Sequence, residues 1–65
     1  MIITEHFADM MVLRDISYTQ VLHTLHYGTT IPSRHHKGQS LTIFMGHTVV
    51  HEGNKLITTY IQGED

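Results

Sequence analysis

The segment SYTQ at residues 17–20 marks the start of a helix and so constrains how the chain around it can fold. A serine followed three residues later by glutamine is the pattern of a capping box, in which the two side chains satisfy free backbone amides at a helix start. Apolar residues then recur at helical spacing, as Tyr18, Val21, Leu22 and Leu25. We predict that this helix ends at Gly28, in the left-handed conformation that often closes a helix.

A second amphipathic segment, HFADMMVLRDI at residues 6–16, stands immediately before the capping box. Its apolar stripe consists of Phe7, Ala8, Met10, Met11 and Val12. This spacing predicts a first helix over residues 5–14, with Thr4 as its N-cap. Ile16 precedes the capping box and is expected to pack against Val21 as a hydrophobic staple.

After Gly28 the pattern changes to the alternation and turn residues of β-structure. The predicted elements are strands over residues 29–31, 40–45, 48–51 and 55–61, a polar loop over 33–39, a turn or bulge at Gly46 and His47, and a hairpin turn over 52–54. Residues 1–4 are expected to form an edge strand or an extended lead-in, and residues 62–65 a polar tail that frays. The sequence therefore predicts a single α+β domain over residues 1–65, with two N-terminal helices packed on a three- to four-stranded antiparallel sheet.

Composition and charge narrow the classes of function. The chain has 65 residues, with four Lys and Arg, six Asp and Glu, and seven histidines. It therefore lacks the excess of basic residues that is typical of a nucleic-acid binder. Protonation of the histidines in mild acid would make its surface more positive. It has no cysteine, which excludes disulfides and thiolate zinc sites. Neither a membrane-spanning run nor a signal-peptide pattern occurs, so a cytoplasmic location is expected. A core this small predicts support from oligomerisation or from a partner.

The segment at residues 6–16 resembles a family of small bacterial domains of unassigned function. The first helix of that family reads His-Ala-x-x-Arg-Met-x-x-Arg-Gly-Ile, and its last strand reads Ile-Thr-Val-Tyr. The positions that match are His6, Met11, Arg14 and Ile16, with Gly28 after the second helix and LITTY at residues 56–60 as the last strand. The chain departs from the pattern at Met10, where the family has an arginine, and at Asp15, where it has glycine.

This family is related to the ribonuclease toxins of the barnase–EndoU–RelE fold, which include the BrnT-like toxins of toxin–antitoxin modules. The resemblance implies two helices packed against an antiparallel sheet, with metal-independent RNA cleavage at the face of that sheet. It also implies RNA and an antitoxin as partners, and no cofactor.

RNA cleavage without a metal requires a base for the 2′-hydroxyl, an acid for the leaving oxygen and cations for the phosphate. The candidate residues are His6, Arg14, Arg34, His35, His36, Thr58 and Tyr60, together with Lys37. His6 and one of His35 or His36 would serve as acid and base, and Arg14 and Arg34 would bind phosphate. Thr58 or Tyr60 would supply a hydroxyl group. Two structural interpretations stay open: residues 34–37 as a solvated polar loop, and His6 with Arg14 as capping or ion-pairing residues of the first helix.

The remaining histidines form pairs with weak metal-binding spacing. His23 and His26 are three residues apart, and His47 and His51 are four apart, but no HExxH pattern occurs. We interpret them as surface histidines and predict no metal ion.

The alternative hypothesis is a non-catalytic protein, encoded by a phage or plasmid, that binds and inhibits a larger host protein or forms a homodimer. The negative net charge and the small core favour it. An exposed Met and Phe stripe on the first helix, or a last strand at a sheet edge, would provide the contact.

Overall fold

The computed structural model describes residues 1–63, which form two helices and one mixed sheet. The elements in chain order are β1 (Ile2–Ile3), α1 (Glu5–Leu13), α2 (Tyr18–Tyr27), β2 (Thr29–Pro32), β3 (Ser40–Phe44), β4 (His47–Glu52) and β5 (Lys55–Ile61). The predicted α+β class with two N-terminal helices is confirmed. The predicted fraying at residues 64 and 65 lies outside the described residues.

Both helices begin where their capping residues predict. The Thr4 side chain accepts a hydrogen bond from the Phe7 amide at 3.2 Å, and Arg14 is the C-cap of α1. At α2, Ser17 Oγ accepts from the Gln20 amide at 3.1 Å, and Gln20 Oε1 accepts from the Ser17 amide at 3.4 Å. The capping box is therefore confirmed.

The sheet has five strands in the order β1-β5-β4-β3-β2, and β1 runs parallel to β5 while the other neighbours are antiparallel. The prediction of a purely antiparallel sheet of three or four strands is thus wrong in detail. β1 is only two residues long, with Ile2 opposite Lys55 and Ile3 opposite Leu56, and so short a strand leaves no periodic signal in the sequence. β4 also begins at His47, where a turn or bulge was expected; the turn comes one residue earlier, at Met45 and Gly46.

The core lies between the helices and one face of the sheet. It consists of Phe7, Ile16, Val21, Val49 and Leu56, with Met11, Leu25 and Ile61 packed against it. The predicted stripes are partly wrong, because Val12 is 83% exposed and Leu22 is 43% exposed. Short helices on a small sheet bury only a narrow line of side chains.

Gly28 joins α2 directly to β2 and has an extended backbone, with φ −78° and ψ 170°. The prediction of a left-handed residue at this position is therefore wrong. The need for glycine comes from close packing: a Cβ atom here would lie 2.6 Å from the Thr24 carbonyl oxygen and 2.8 Å from that of Ile43. Glycine therefore allows α2 and β3 to approach closely at the point where the chain enters β2.

Candidate functional site

A groove of about 690 Å³ lies on the open face of the sheet, opposite the helices. Its lining consists of Ile31, Pro32, Ser33, Arg34, His35, His36, Gln39, Leu41, Val50, Ile57, Thr58 and Tyr60. The volume falls in the range of small-molecule sites, about 300–1,000 Å³. The floor is largely aliphatic, and the polar groups come from one loop and from the last strand.

A β-bulge in β5 shapes the floor of this groove. Val50 pairs with Thr58, but the next residue of β4, His51, pairs with Leu56, so Ile57 is an extra residue in β5. Ile57 and Thr58 both line the groove, although side chains of consecutive strand residues normally point to opposite faces. The bulge thus adds an apolar side chain beside the Thr58 hydroxyl.

The loop over residues 33–39 forms one wall and is held by hydrogen bonds of its own. Ser33 Oγ accepts from the backbone amides of His35 and His36, each at 3.2 Å. The Ser33 amide donates to the Gln39 carbonyl at 2.9 Å, and the Gln39 amide donates to the His36 carbonyl at 3.1 Å. These contacts fix the backbone that carries both imidazoles.

The structure brings five of the seven candidate site residues to this groove. Arg34, His35 and His36 line it from the loop, and Thr58 and Tyr60 line it from β5. Lys37 lies in the same loop but does not line the groove. The combination of imidazoles, a guanidinium and hydroxyl groups around an apolar floor is chemically suited to bind a phosphodiester together with a base.

His6 lies on α1 and Arg14 is the C-cap of that helix, and neither residue lines the groove. His6 is exposed, whereas Arg14 is half-buried, and its Nη1 donates to the Thr59 carbonyl at 3.3 Å and contacts Met10 Sδ at 2.8 Å. Arg14 therefore contacts the backbone of β5 between two groove residues, Thr58 and Tyr60. The catalytic roles suggested for His6 and Arg14 stay predictions.

A buried histidine on the helix-facing side of the sheet was not foreseen. His47 is only 4% exposed, its Nδ1 is 2.6 Å from Thr24 Oγ1, and its Nε2 is 2.7 Å from Thr59 Oγ1. The prediction that it is a surface residue is wrong. The strand period places position 47 on the same face as the buried Val49, and this was the signal available in the sequence.

The hydrogen bonds around His47 define its tautomer. The Thr59 hydroxyl donates to the Thr48 carbonyl at 2.8 Å, so it accepts from His47, and Nε2 carries the proton. Nδ1 then accepts from the Thr24 hydroxyl. The imidazole is neutral in this arrangement, and its burial lowers its pKa because desolvation disfavours the charged form.

His51 takes part in a similar chain of hydroxyl groups. Its Nδ1 is 3.2 Å from the Gly53 carbonyl, which can only accept, so Nδ1 carries the proton. Its Nε2 is 2.8 Å from Thr42 Oγ1, and Thr42 Oγ1 is in turn 2.8 Å from Thr30 Oγ1. This chain crosses three neighbouring strands, β4, β3 and β2.

His23 contacts aromatic rings, with its centroid 4.7 Å from that of Tyr27 and 5.1 Å from that of Phe44. Within residues 1–63 no three His, Cys, Asp or Glu side chains are grouped so that they could hold a metal ion. In the same range, neither helix has the length and apolar character needed to cross a membrane.

Comparison of the chain with protein-family models, with curated proteins and with solved structures finds no match. The relationship to ribonuclease toxins therefore stays a prediction based on the motif at residues 6–16.

Proposed function

We propose that the protein is a metal-independent endoribonuclease whose substrate lies in the groove on the open sheet face. The observation that carries the proposal is the grouping in one groove of Arg34, His35, His36, Thr58 and Tyr60. These side chains supply the proton donors, proton acceptors and cation that cleavage of a phosphodiester requires.

In the proposed reaction, one imidazole of the His35–His36 pair takes the proton of the 2′-hydroxyl, and the resulting oxygen attacks the adjacent phosphorus. The bond to the 5′-oxygen breaks, and the second imidazole protonates that oxygen. The products are a 2′,3′-cyclic phosphate and a 5′-hydroxyl. Arg34 binds the phosphate oxygens, for which its planar guanidinium is well shaped.

The apolar floor favours a single-stranded substrate. Unstacked bases bind to aromatic and apolar surfaces, whereas the bases of a duplex remain stacked on one another. Tyr60 is 37% exposed at the groove and offers such a surface beside the aliphatic side chains of Leu41 and Val50.

The test is incubation of the purified chain with a labelled single-stranded RNA in the presence of a chelator, from mild acid to neutral pH. Cleavage that leaves 2′,3′-cyclic phosphate ends is expected, and replacement of His35 or His36 by alanine should lower the rate by about 10²–10⁴-fold. Lys37→Gln is the matched control, because Lys37 is a cation of the same loop outside the groove lining. Absence of cleavage across this pH range would refute the proposal.

The same assay with His6→Ala and Arg14→Ala tests the roles suggested by the resemblance. If the groove alone carries the chemistry, His6→Ala leaves the rate unchanged. A loss as large as that of His35→Ala would instead place His6 in the reaction.

A second candidate function is that of a non-catalytic protein that docks to a larger protein. The observation favouring it is the exposure of large apolar side chains, with Met45 88%, Val12 83% and Leu13 71% exposed. Absence of RNA cleavage by the purified chain, together with specific binding to another protein, would support this candidate over the ribonuclease.

A further inference from the structure

The outer edge of β5 is covered by another strand over only two of its seven residues. β1 pairs with Lys55 and Leu56, and the Thr4 amide donates to the Leu56 carbonyl at 3.4 Å. Within residues 1–63, no strand lies beside β5 from Thr58 to Ile61 on the side away from β4. We call residues 58–61 the open edge.

Two backbone contacts show which groups point out of this edge. The Gln62 amide donates to the Gly46 carbonyl on the β4 side at 2.7 Å. The backbone N–H and C=O groups of successive residues in an antiparallel pair point alternately toward and away from the neighbouring strand. The backbone groups of Thr58 and Tyr60 therefore also point toward β4, and those of Thr59 and Ile61 point outward. The hydrogen bond from Arg14 to the Thr59 carbonyl agrees with this assignment.

The open edge carries no residue of its own that discourages pairing with a further strand. ITTYI at residues 57–61 contains no charged residue, although natural edge strands often carry charges or proline that discourage pairing.

Arg14 places a positive charge at this edge. Its guanidinium contacts the Thr59 carbonyl and Met10 Sδ, neither of which is an anion. A strand amide that bonded to the Thr59 carbonyl would compete with Arg14. A carboxylate on the same strand would then give the displaced guanidinium a stronger partner.

We propose that the open edge of β5 binds an extended segment of a partner protein as an added strand, with an acidic side chain of that segment paired to Arg14. The backbone of the segment bonds to Thr59 and Ile61, and the charge pair sets its register. Leu13, which is 71% exposed and precedes Arg14, provides an apolar contact beside the pair. The backbone groups that bind the segment belong to Thr59 and Ile61, which do not line the groove, so the inference does not depend on RNA cleavage.

The opposite edge of the sheet is less suited to this role. The Ser33 amide donates to the Gln39 carbonyl at 2.9 Å. Because backbone groups alternate in direction, those of Thr29 and Ile31 point toward β3, and those of Thr30 and Pro32 point outward. Proline has no amide hydrogen to donate, which leaves Thr30 as the one outward donor of β2.

The test uses the full chain to select binders from a displayed library of random eight-residue peptides, followed by amide hydrogen exchange with a synthesised binder. The expected binders carry Asp or Glu in an otherwise β-forming sequence and slow the exchange of Thr59 and Ile61 amides by about tenfold or more. Arg14→Gln should weaken their binding by roughly tenfold, whereas Lys37→Gln, a cation of the groove loop, should not.

Three results would overturn the inference. The first is that the selection recovers no binder. The second is that the binders leave the Thr59 and Ile61 amides exchanging as fast as in the protein without peptide. The third is slowing of both amides with rising protein concentration in the absence of peptide, which would identify a second copy of the chain as the added strand.

Discussion

The imidazole of His47 joins the sheet to helix α2 through the hydroxyl of Thr24, which lies 2.6 Å from its Nδ1. On its other side, Nε2 donates to Thr59 at 2.7 Å, so one side chain of β4 links α2 to β5. Within residues 1–63 every buried side-chain nitrogen and oxygen atom has a partner. Removal of any member of this chain therefore leaves a buried polar atom unsatisfied.

We expect Thr24→Val to lower the free energy of unfolding by about 1–3 kcal/mol. Valine has nearly the shape of threonine but cannot donate to Nδ1 of His47, so the imidazole would keep an unpaired nitrogen in the core. Thr19→Val, on the exposed side of the same helix, is the matched control and should change stability by less than about 0.5 kcal/mol. Chemical denaturation followed by circular dichroism gives both values. Equal effects at the two positions would contradict the role of the hydrogen bond.

Stability should fall as the solution is acidified, because burial lowers the pKa of His47. The unfolded state then binds a proton at higher pH than the folded state, near the ordinary histidine pKa of about 6.5. The stabilisation is complete above that pH and is lost as the pH falls towards the lower folded pKa, by at most about 1.4 kcal/mol per pH unit. Denaturation curves between pH 7.5 and 5 measure this slope. His47→Gln should reduce the slope, and an unchanged slope would exclude His47 as its source.

We expect Gly28→Ala to destabilise the fold by about 1–3 kcal/mol through overpacking. The added methyl group would meet the Thr24 and Ile43 carbonyl oxygens well inside contact distance. Gly53→Asn is the control, because open space surrounds Gly53 and asparagine tolerates its positive φ of 59°. If thermal unfolding shows the two variants to be equally stable, α2 and β3 do not approach as closely as described.

Ser33→Ala should loosen the loop that carries both groove imidazoles. Ser33 Oγ accepts from the amides of His35 and His36, and each lost bond should speed exchange of its amide roughly fivefold. If the groove cleaves RNA, the rate should fall as well, and Ser33→Asn, which keeps an oxygen acceptor, should restore part of it. Exchange that stays slow in Ser33→Ala would show that the backbone bonds to Gln39 suffice to hold the loop.

The parts of the fold that local chemistry determines were predictable from the sequence. The capping box at Ser17 and Gln20 acts within one helical turn, and it occurs as its spacing indicates. The alternation of side chains along β3 places Leu41 and Thr42 on opposite faces of the sheet. Which of these two faces lies under the helices depends on the whole fold, and the helices cover the Thr42 face, leaving Leu41 in the groove.

The candidate site was predictable in part for the same reason. These five residues could be proposed from their residue types, as imidazoles, a guanidinium and hydroxyl groups: Arg34, His35, His36, Thr58 and Tyr60. Their convergence depends on the bulge at Ile57 and on the path of the loop, which no local pattern marks. His47 was missed because histidine is usually exposed and its burial requires two threonines distant in the sequence.

The parallel pairing of β1 with β5 also affects how the chain can fold. Thr4 and Leu56 hydrogen-bond although they are 52 positions apart, so this contact closes a loop containing both helices and three strands. Contacts this distant in sequence slow folding, because the entropy of closing the loop is lost before the pairing stabilises it. Until the ribosome has synthesised Lys55 and Leu56, β1 has no strand to pair with, and residues 1–4 remain unpaired.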